Sequence, residues 1–294
     1  MSRFRYASTA NWYKGNTHTH TKASDGGKTY LETARLYAGA RYDFLVRTDH
    51  WVTSDVAADP EPSPLLWIDG IELDGADGSG AGFHVVCLGK CRDMERKMGL
   101  VLGMERAREQ DALLVLAHPF WCGNSFSDAL RHRFDGVETY NHVCRWLNGK
   151  SDGLPYWNAM LSTFPGTLGI AADDCHLRPE HPGWNGGWVM VNAPELSPAA
   201  ILASIRRGEF YASCGPSFLT LECDGQNLHV RTSPVQFVRV VGPGAHGVRV
   251  GSFDGSTMTE ATLKVPAEWP YAYLEIEDAQ GRCAWTNTLF VAEE

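Results

Sequence analysis

WYKGNTHTH (residues 12–20), YLETARLYAGA (30–40) and YDFLVRTDH (42–50) stand near the start of the chain, and the order of their textures decides the fold. The first and third are short apolar runs of strand character, and the second is spaced like a helix. The alternation continues through LLWIDGIEL (65–73), FHVVCLG (83–89), LLVLAHPF (113–120), DGVETYN (135–141), TLGIAADDCH (167–176) and GGWVMVNA (186–193). Strands alternating with helical segments predict βα units around a parallel sheet or barrel. A further helix is marked at both ends: Ser197 can serve as N-cap, Pro198 as first helical residue and Gly208 as the stop after PAAILASIRR (198–207).

After Cys214-Gly215-Pro216 the texture changes to short strand-like runs separated by Gly, Asp, Asn and Pro, among them FLTLEC (218–223), QFVRVVG (236–242) and YAYLEIED (271–278). Regular turn signals without a helical segment predict a small all-β sandwich. The expected division is therefore 1–213, an α/β unit, and 214–294, a β-sandwich.

The chain has 294 residues, 44% of them hydrophobic, enough for one large core and an appendage. A formal net charge of −9 disfavours a nucleic-acid polymer as partner, because such binding rests on clustered Lys and Arg. MSRFRYASTANWYKG has no apolar leader-like core, and no long apolar run follows, so a cytoplasmic protein without membrane partners is expected. The eight cysteines are scattered without a CxxC pair, which fits reduced thiols. Oligomeric state is left open.

Histidines and carboxylates gather where the predicted strands end, and in a barrel such ends converge on one mouth. His18-Thr19-His20 places both imidazoles on one side of its strand, a spacing that suits two ligands of one ion. Asp25 sits in the turn-forming loop TKASDGG, whose two glycines let the backbone fold back over the strand end. His50 ends the second strand, the third carries Glu72, the next begins with His84, and LLVLAHP delivers His118 to a strand end fixed by Pro119. In AADDCH, Asp174 and His176 share a face while Asp173 points the other way, so Asp174 is the expected ligand. Asp173 and Asp49 are expected as outer acceptors of the histidines' second ring N–H. A lone buried histidine is more often a core residue than a ligand, but H-x-H, an S-D-G loop, D-H, a lone Glu, H-P and D-x-H in order at successive strand ends argue for a metal cluster.

NTHTHTKASDGG, VRTDHW, GIELDG with His84, LAHPF, DGVETYN and AADDCH together resemble the motif series of the PHP (polymerase and histidinol phosphatase) superfamily, spanning residues 15 to 178. YASCGPSF and GRCAWTN resemble the tail of its carbaryl-hydrolase-like branch. The resemblance implies a distorted (β/α)7 barrel holding two or three divalent ions. It places one on His18, His20, Glu72 and Asp174, with Glu72 bridging to a second on His84 and His118, and a third on Asp25, His50 and His176. Arg47 and Asp173 depart from the usual pattern, which commonly has a small or apolar residue before T-D-H and a small one before D-x-H.

Imidazole and carboxylate ligation suits Zn, Mn or Fe. Water bridging such ions loses its proton near neutral pH and becomes a nucleophile, and no G-x-S-x-G or P-loop pattern offers another route. The expected activity is hydrolysis of small phosphomonoesters or phosphodiesters, with Lys22, Arg145 and Arg178 as candidates for binding the phosphate. A carboxylic or carbamic ester hydrolase with the same metals is the enzymatic alternative. A non-catalytic metal-binding module is the alternative of another class. Glu138, in DGVETYN, is compatible with a ligand, an outer base or a plain strand residue.

Overall fold

A computed structural model of the chain describes residues 2–6, 10–59 and 62–292. Two sheets organise it. The larger has nine strands in the order 247–251, 237–241, 273–277, 283–286, 210–213, 188–193, 11–16, 44–46 and 66–68. The smaller has five, in the order 70–76, 82–88, 113–116, 136–141 and 168–172. Ile68 ends the larger sheet and Gly70 begins the smaller, so the chain passes from one to the other through Asp69.

The expected closed barrel of parallel strands is corrected here: the architecture is mixed α/β and the sheets are not closed into a barrel. Strand 11–16 pairs parallel to 44–46, as do 113–116 with 136–141 and 136–141 with 168–172. Strand 82–88 instead runs antiparallel to both neighbours. The cause is local: residues 77–81 make a tight turn, closed by the Asp77 amide on the Ala81 carbonyl at 2.9 Å, and a hairpin connection cannot return a strand in parallel. Isolated bridges, Thr19 with Cys175 and His50 with Glu72, join the two sheets where the histidines lie.

Helices Tyr30–Gly39, Leu100–Glu109, Leu154–Thr163 and Pro198–Arg206 accompany the sheets. The last begins as its sequence predicts, with Ser197 Oγ accepting from the Ala200 amide at 3.3 Å, and Gly208 follows it at φ +69°. Among the described residues, 214–292 contain no helix. Strands Phe218–Asp224, Asn227–Val235 and Met258–Lys264 form a separate three-stranded sheet. Its Leu221, Leu228 and Val230 pack against Val238, Val240 and Ile276 of the large sheet, giving the tail two apolar-faced layers. The tail also shares a core with the first region, where the Trp157 and Tyr273 rings lie 4.5 Å apart. All eight cysteines are free thiols. Among the described residues, no helix is long and apolar enough to cross a membrane.

Candidate metal centre

Local backbone contacts aim the ligand-type side chains. Thr19 turns away from the site to donate from Oγ1 to the Val46 carbonyl at 2.6 Å, which sends His18 and His20 to the opposite face. The Asp25 loop is drawn in by Gly26 and Gly27. A Cβ on Gly26 would stand 2.4 Å from the His20 carbonyl oxygen, and one on Gly27 would stand 2.5 Å from that of Leu177. His118 (φ +27°) and Asp174 (φ +55°) stand in the left-handed region two residues beyond the ends of strands 113–116 and 168–172. Such conformations cost roughly 1–3 kcal/mol each and persist where surrounding structure enforces them, commonly at functional sites.

The nine expected ligand residues meet in one place. Glu72 Oε2 lies 3.2 Å from His18 Nε2, 3.1 Å from His20 Nε2 and 3.3 Å from His50 Nδ1. Its Oε1 faces His84 Nδ1 at 2.9 Å and His118 Nε2 at 3.6 Å. Asp174 Oδ1 stands 3.3 and 3.1 Å from the Nε2 atoms of His18 and His20. Asp25 Oδ2 is 3.2 Å from His176 Nε2, and His20 and His50 complete that corner. Glu72 Oε2 and His20 Nδ1 are buried without a hydrogen-bond partner among the described residues. Buried polar atoms are nearly always satisfied, so unpartnered ligand-type atoms in facing clusters fit divalent cations.

Electrostatics agree. Burial favours the neutral carboxyl forms of Glu72 and Asp174, but the surrounding imidazoles outweigh it and hold both well below the usual carboxylate range. Burial likewise opposes charge on His20, yet Asp174 and Glu72 raise it to about 9. A divalent ion taken up by His20 would displace its proton, so metal retention is expected to weaken as the pH falls below about 9, which metal content measured across pH checks.

The chain shares its fold with a PHP-like protein. That structure is a two-domain protein containing a predicted PHP-like metal-dependent phosphoesterase from Bacteroides vulgatus ATCC 8482, matched over 95% of this chain and 96% of that one with a TM-score of 0.53. At 15% identity, this is likeness of fold. An amidohydrolase from Chromobacterium violaceum matches over 58% of this chain and 57% of its own at 19% identity, with a TM-score of 0.23, too low to weigh. No protein-family model matches the chain, and no curated protein does.

Within this fold, Glu138 is placed as a positioning residue. Its Oε1 accepts from His18 Nδ1 at 2.7 Å, leaving Nε2 free to face the cluster, while Oε2 accepts from the His118 amide and from Asn141 Nδ2. Replacing such an outer partner typically costs 10–100-fold in metal affinity, so Glu138→Ala is expected to weaken metal retention by roughly that factor. Chelator competition measures it, and unchanged retention would remove Glu138 from the assembly.

The two aspartates expected to hold histidines do other work. Asp49 accepts from the amides and hydroxyls of Thr21 and Ser24 and from Tyr30 Oη, so it secures the Asp25 loop. Asp173 points away from the cluster, accepting from Tyr37 Oη at 2.7 Å and from the amides of Asn185, Gly186 and Gly187. Imidazole N–H groups lie nowhere among these partners because both carboxylates are filled by nearer loop donors.

The expected phosphate-binding cations divide. Arg178 lines the metal cavity, with Nη2 3.7 Å from Asp25 Oδ2. Lys22 is corrected: it is exposed and reaches Glu32 at 3.8 Å. Arg145 is also corrected: Val143, Cys144 and Leu147 of helix His142–Asn148 line the metal cavity, whereas Arg145 projects into a neighbouring one. Arg47 is buried, paired with Asp59 and stacked 3.7 Å from the Tyr30 ring centroid.

Sequence reasoning missed Asp74, Asn141 and Trp121. Asp74 Oδ1 lies 2.9 Å from His50 Nδ1 and is held by Arg96. Asn141 donates to Asp174 Oδ2 at 3.2 Å while capping the next helix through Oδ1. The Trp121 ring stands edge-on to His84 and His118. Asp74, two residues from Glu72 on the same strand face, carried a signal in the period of two; Asn141 and Trp121 carried none.

Proposed function

We propose that the chain is a metal-dependent hydrolase of small phosphomonoesters or phosphodiesters. The observation that carries this reading is the buried Glu72 carboxylate, whose two oxygens face five imidazoles and whose Oε2 has no hydrogen-bond partner among the described residues. Divalent Zn, Mn or Fe ions, two or three in number, would supply Lewis acidity and acidify water near neutral pH. His18, His20, Glu72 and Asp174 would hold one, His84 and His118 a second with Glu72, and Asp25, His50 and His176 a third. The chain's own part is orientation: Glu138 fixes the His18 tautomer, and the Asp174 carbonyl accepts from His176 Nδ1 at 2.9 Å. Arg178 stands at the mouth to meet an anionic group.

A cavity of about 170 Å³ suits a small reacting group. Its wall of Trp121, Val143 and Leu147, with Arg178 alone of the three expected cations, favours a second reading, cleavage of a carboxylic or carbamic ester as in the carbaryl-hydrolase-like branch. Every residue proposed to hold metal falls between 18 and 176, which supports a hydrolase unit in 1–213 and an accessory β unit in 214–294. The net charge of −9 supports small-molecule rather than nucleic-acid partners, and the eight free cysteines support a cytoplasmic setting.

Elemental analysis of purified protein and a panel of phosphate monoesters, diesters and carboxyl esters test the proposal. Bound transition metal is expected, with turnover lost on chelation, restored by one of Mn, Zn or Fe, and highest on a phosphate ester. Preference for carboxyl esters would select the second reading. Metal-loaded protein inert on the whole panel would leave a non-catalytic metal-binding module.

A further inference from the structure

We propose that a second cavity, of about 890 Å³ between the metal-bearing region and the β-rich tail, binds a small anion carrying a planar ring, with Arg145 taking the anionic group. The proposal is independent of the ester read at the metals. Helix His142–Asn148 separates the two spaces, showing Val143, Cys144 and Leu147 to the metal cavity and His142 and Arg145 to the larger one. Tail residues Glu275, Arg282 and Trp285 form the opposite wall.

The charges of this cavity do not cancel internally. Arg282 is committed to Asp278, donating from Nε to Oδ2 at 2.7 Å. Glu275 accepts from Trp285 Nε1 at 2.9 Å and from Arg239 at 2.8 Å, and Asp152 Oδ1 accepts from the Leu154 amide. Against Asp152, the one lining carboxylate without an ion pair among the described residues, two cations are left. Lys14 Nζ reaches only the neutral Asn185 Oδ1, at 3.1 Å, and otherwise lies over the rings of Tyr42 and Trp188. Arg145 has no hydrogen bond or ion pair to any described residue.

A guanidinium free to use its fork matches the two oxygens of a carboxylate or phosphate. Trp188, Trp285 and Tyr140 add flat apolar surface to the same walls, and aromatic faces accept a planar ring in offset or edge contact. The shared ligand chemistry is thus a ring bearing an anionic group, with a phosphate or a carboxylate as its source.

Isothermal titration of the full-length protein with adenosine monophosphate and with indole-3-acetate distinguishes the two sources. Saturable binding of at least one probe is expected, at least tenfold tighter than that of adenosine or inorganic phosphate. Arg145→Ala is expected to weaken it at least tenfold while metal content, ester turnover and circular dichroism stay as in the wild type. Arg145→Lys, which keeps the charge and loses the fork, is expected to fall between. Three results would each overturn the proposal: neither probe saturates, phosphate alone binds as tightly, or Arg145→Ala binds unchanged, which would put the probe at the metal cavity instead.

Discussion

Glu72→Gln is expected to lower ester turnover by more than about 100-fold with the fold intact. The scale follows from comparison: loss of an outer partner of a metal ligand costs roughly 10–100-fold, and Glu72 stands inside that shell. Its Oε2 faces His18, His20 and His50, and its Oε1 faces His84 and His118, so one carboxylate serves two groups of donors. The amide has nearly the same volume but offers one carbonyl oxygen and an N–H₂ that repels cations. Volume conservation keeps the packing cost small. Metal per chain and turnover, measured together on the variant, check this. Full metal content with wild-type turnover would shift the role to Asp174, because Glu138 is engaged by His18 and Asp173 faces away.

The largest stability effect is expected at Trp157. This side chain is fully buried, donates from Nε1 to the Thr167 carbonyl at 2.9 Å and packs on Tyr273 of the tail. Gly169 lies so close that a Cβ there would stand 2.8 Å from the indole. Trp157→Ala removes the ring from a site that rigid strands on one side and the tail on the other cannot refill. A loss of roughly 3–5 kcal/mol is expected, as for aromatic-to-alanine changes in close-packed cores. Denaturant midpoints of wild type and variant measure it, and a loss below about 1 kcal/mol would show that the surroundings collapse onto the cavity.

Much of the candidate metal centre was legible in the sequence because its signals are local. His18 and His20 share a face through the period-two alternation of extended chain, and the same alternation separated Asp174 from Asp173. Gly26 and Gly27 announced the close approach of the Asp25 loop to its neighbours. The tail's strands were equally readable, from turn residues between short apolar runs.

Tertiary structure alone decided the rest. Glu138 takes its role from a histidine 120 residues away, and no spacing rule reaches that far. Asp49 is expected as a histidine's outer partner, yet the Thr21–Ser24 loop folds over it and supplies the donors. Arg145 and Leu147 lie on one short helix, and only the packing of that helix between two cavities sends the first away from the clustered histidines and the second toward them. The parallel barrel failed for a related reason. Apolar alternation marks that a segment is a strand, but the direction and closure of its pairing are set by which edges the connections can reach. The sequence by itself thus determined which residues stand at strand ends with ligand chemistry. The folded chain determined which of their neighbours turn toward them, because hydrogen-bond partners and cavity walls are assembled from segments that meet only in space.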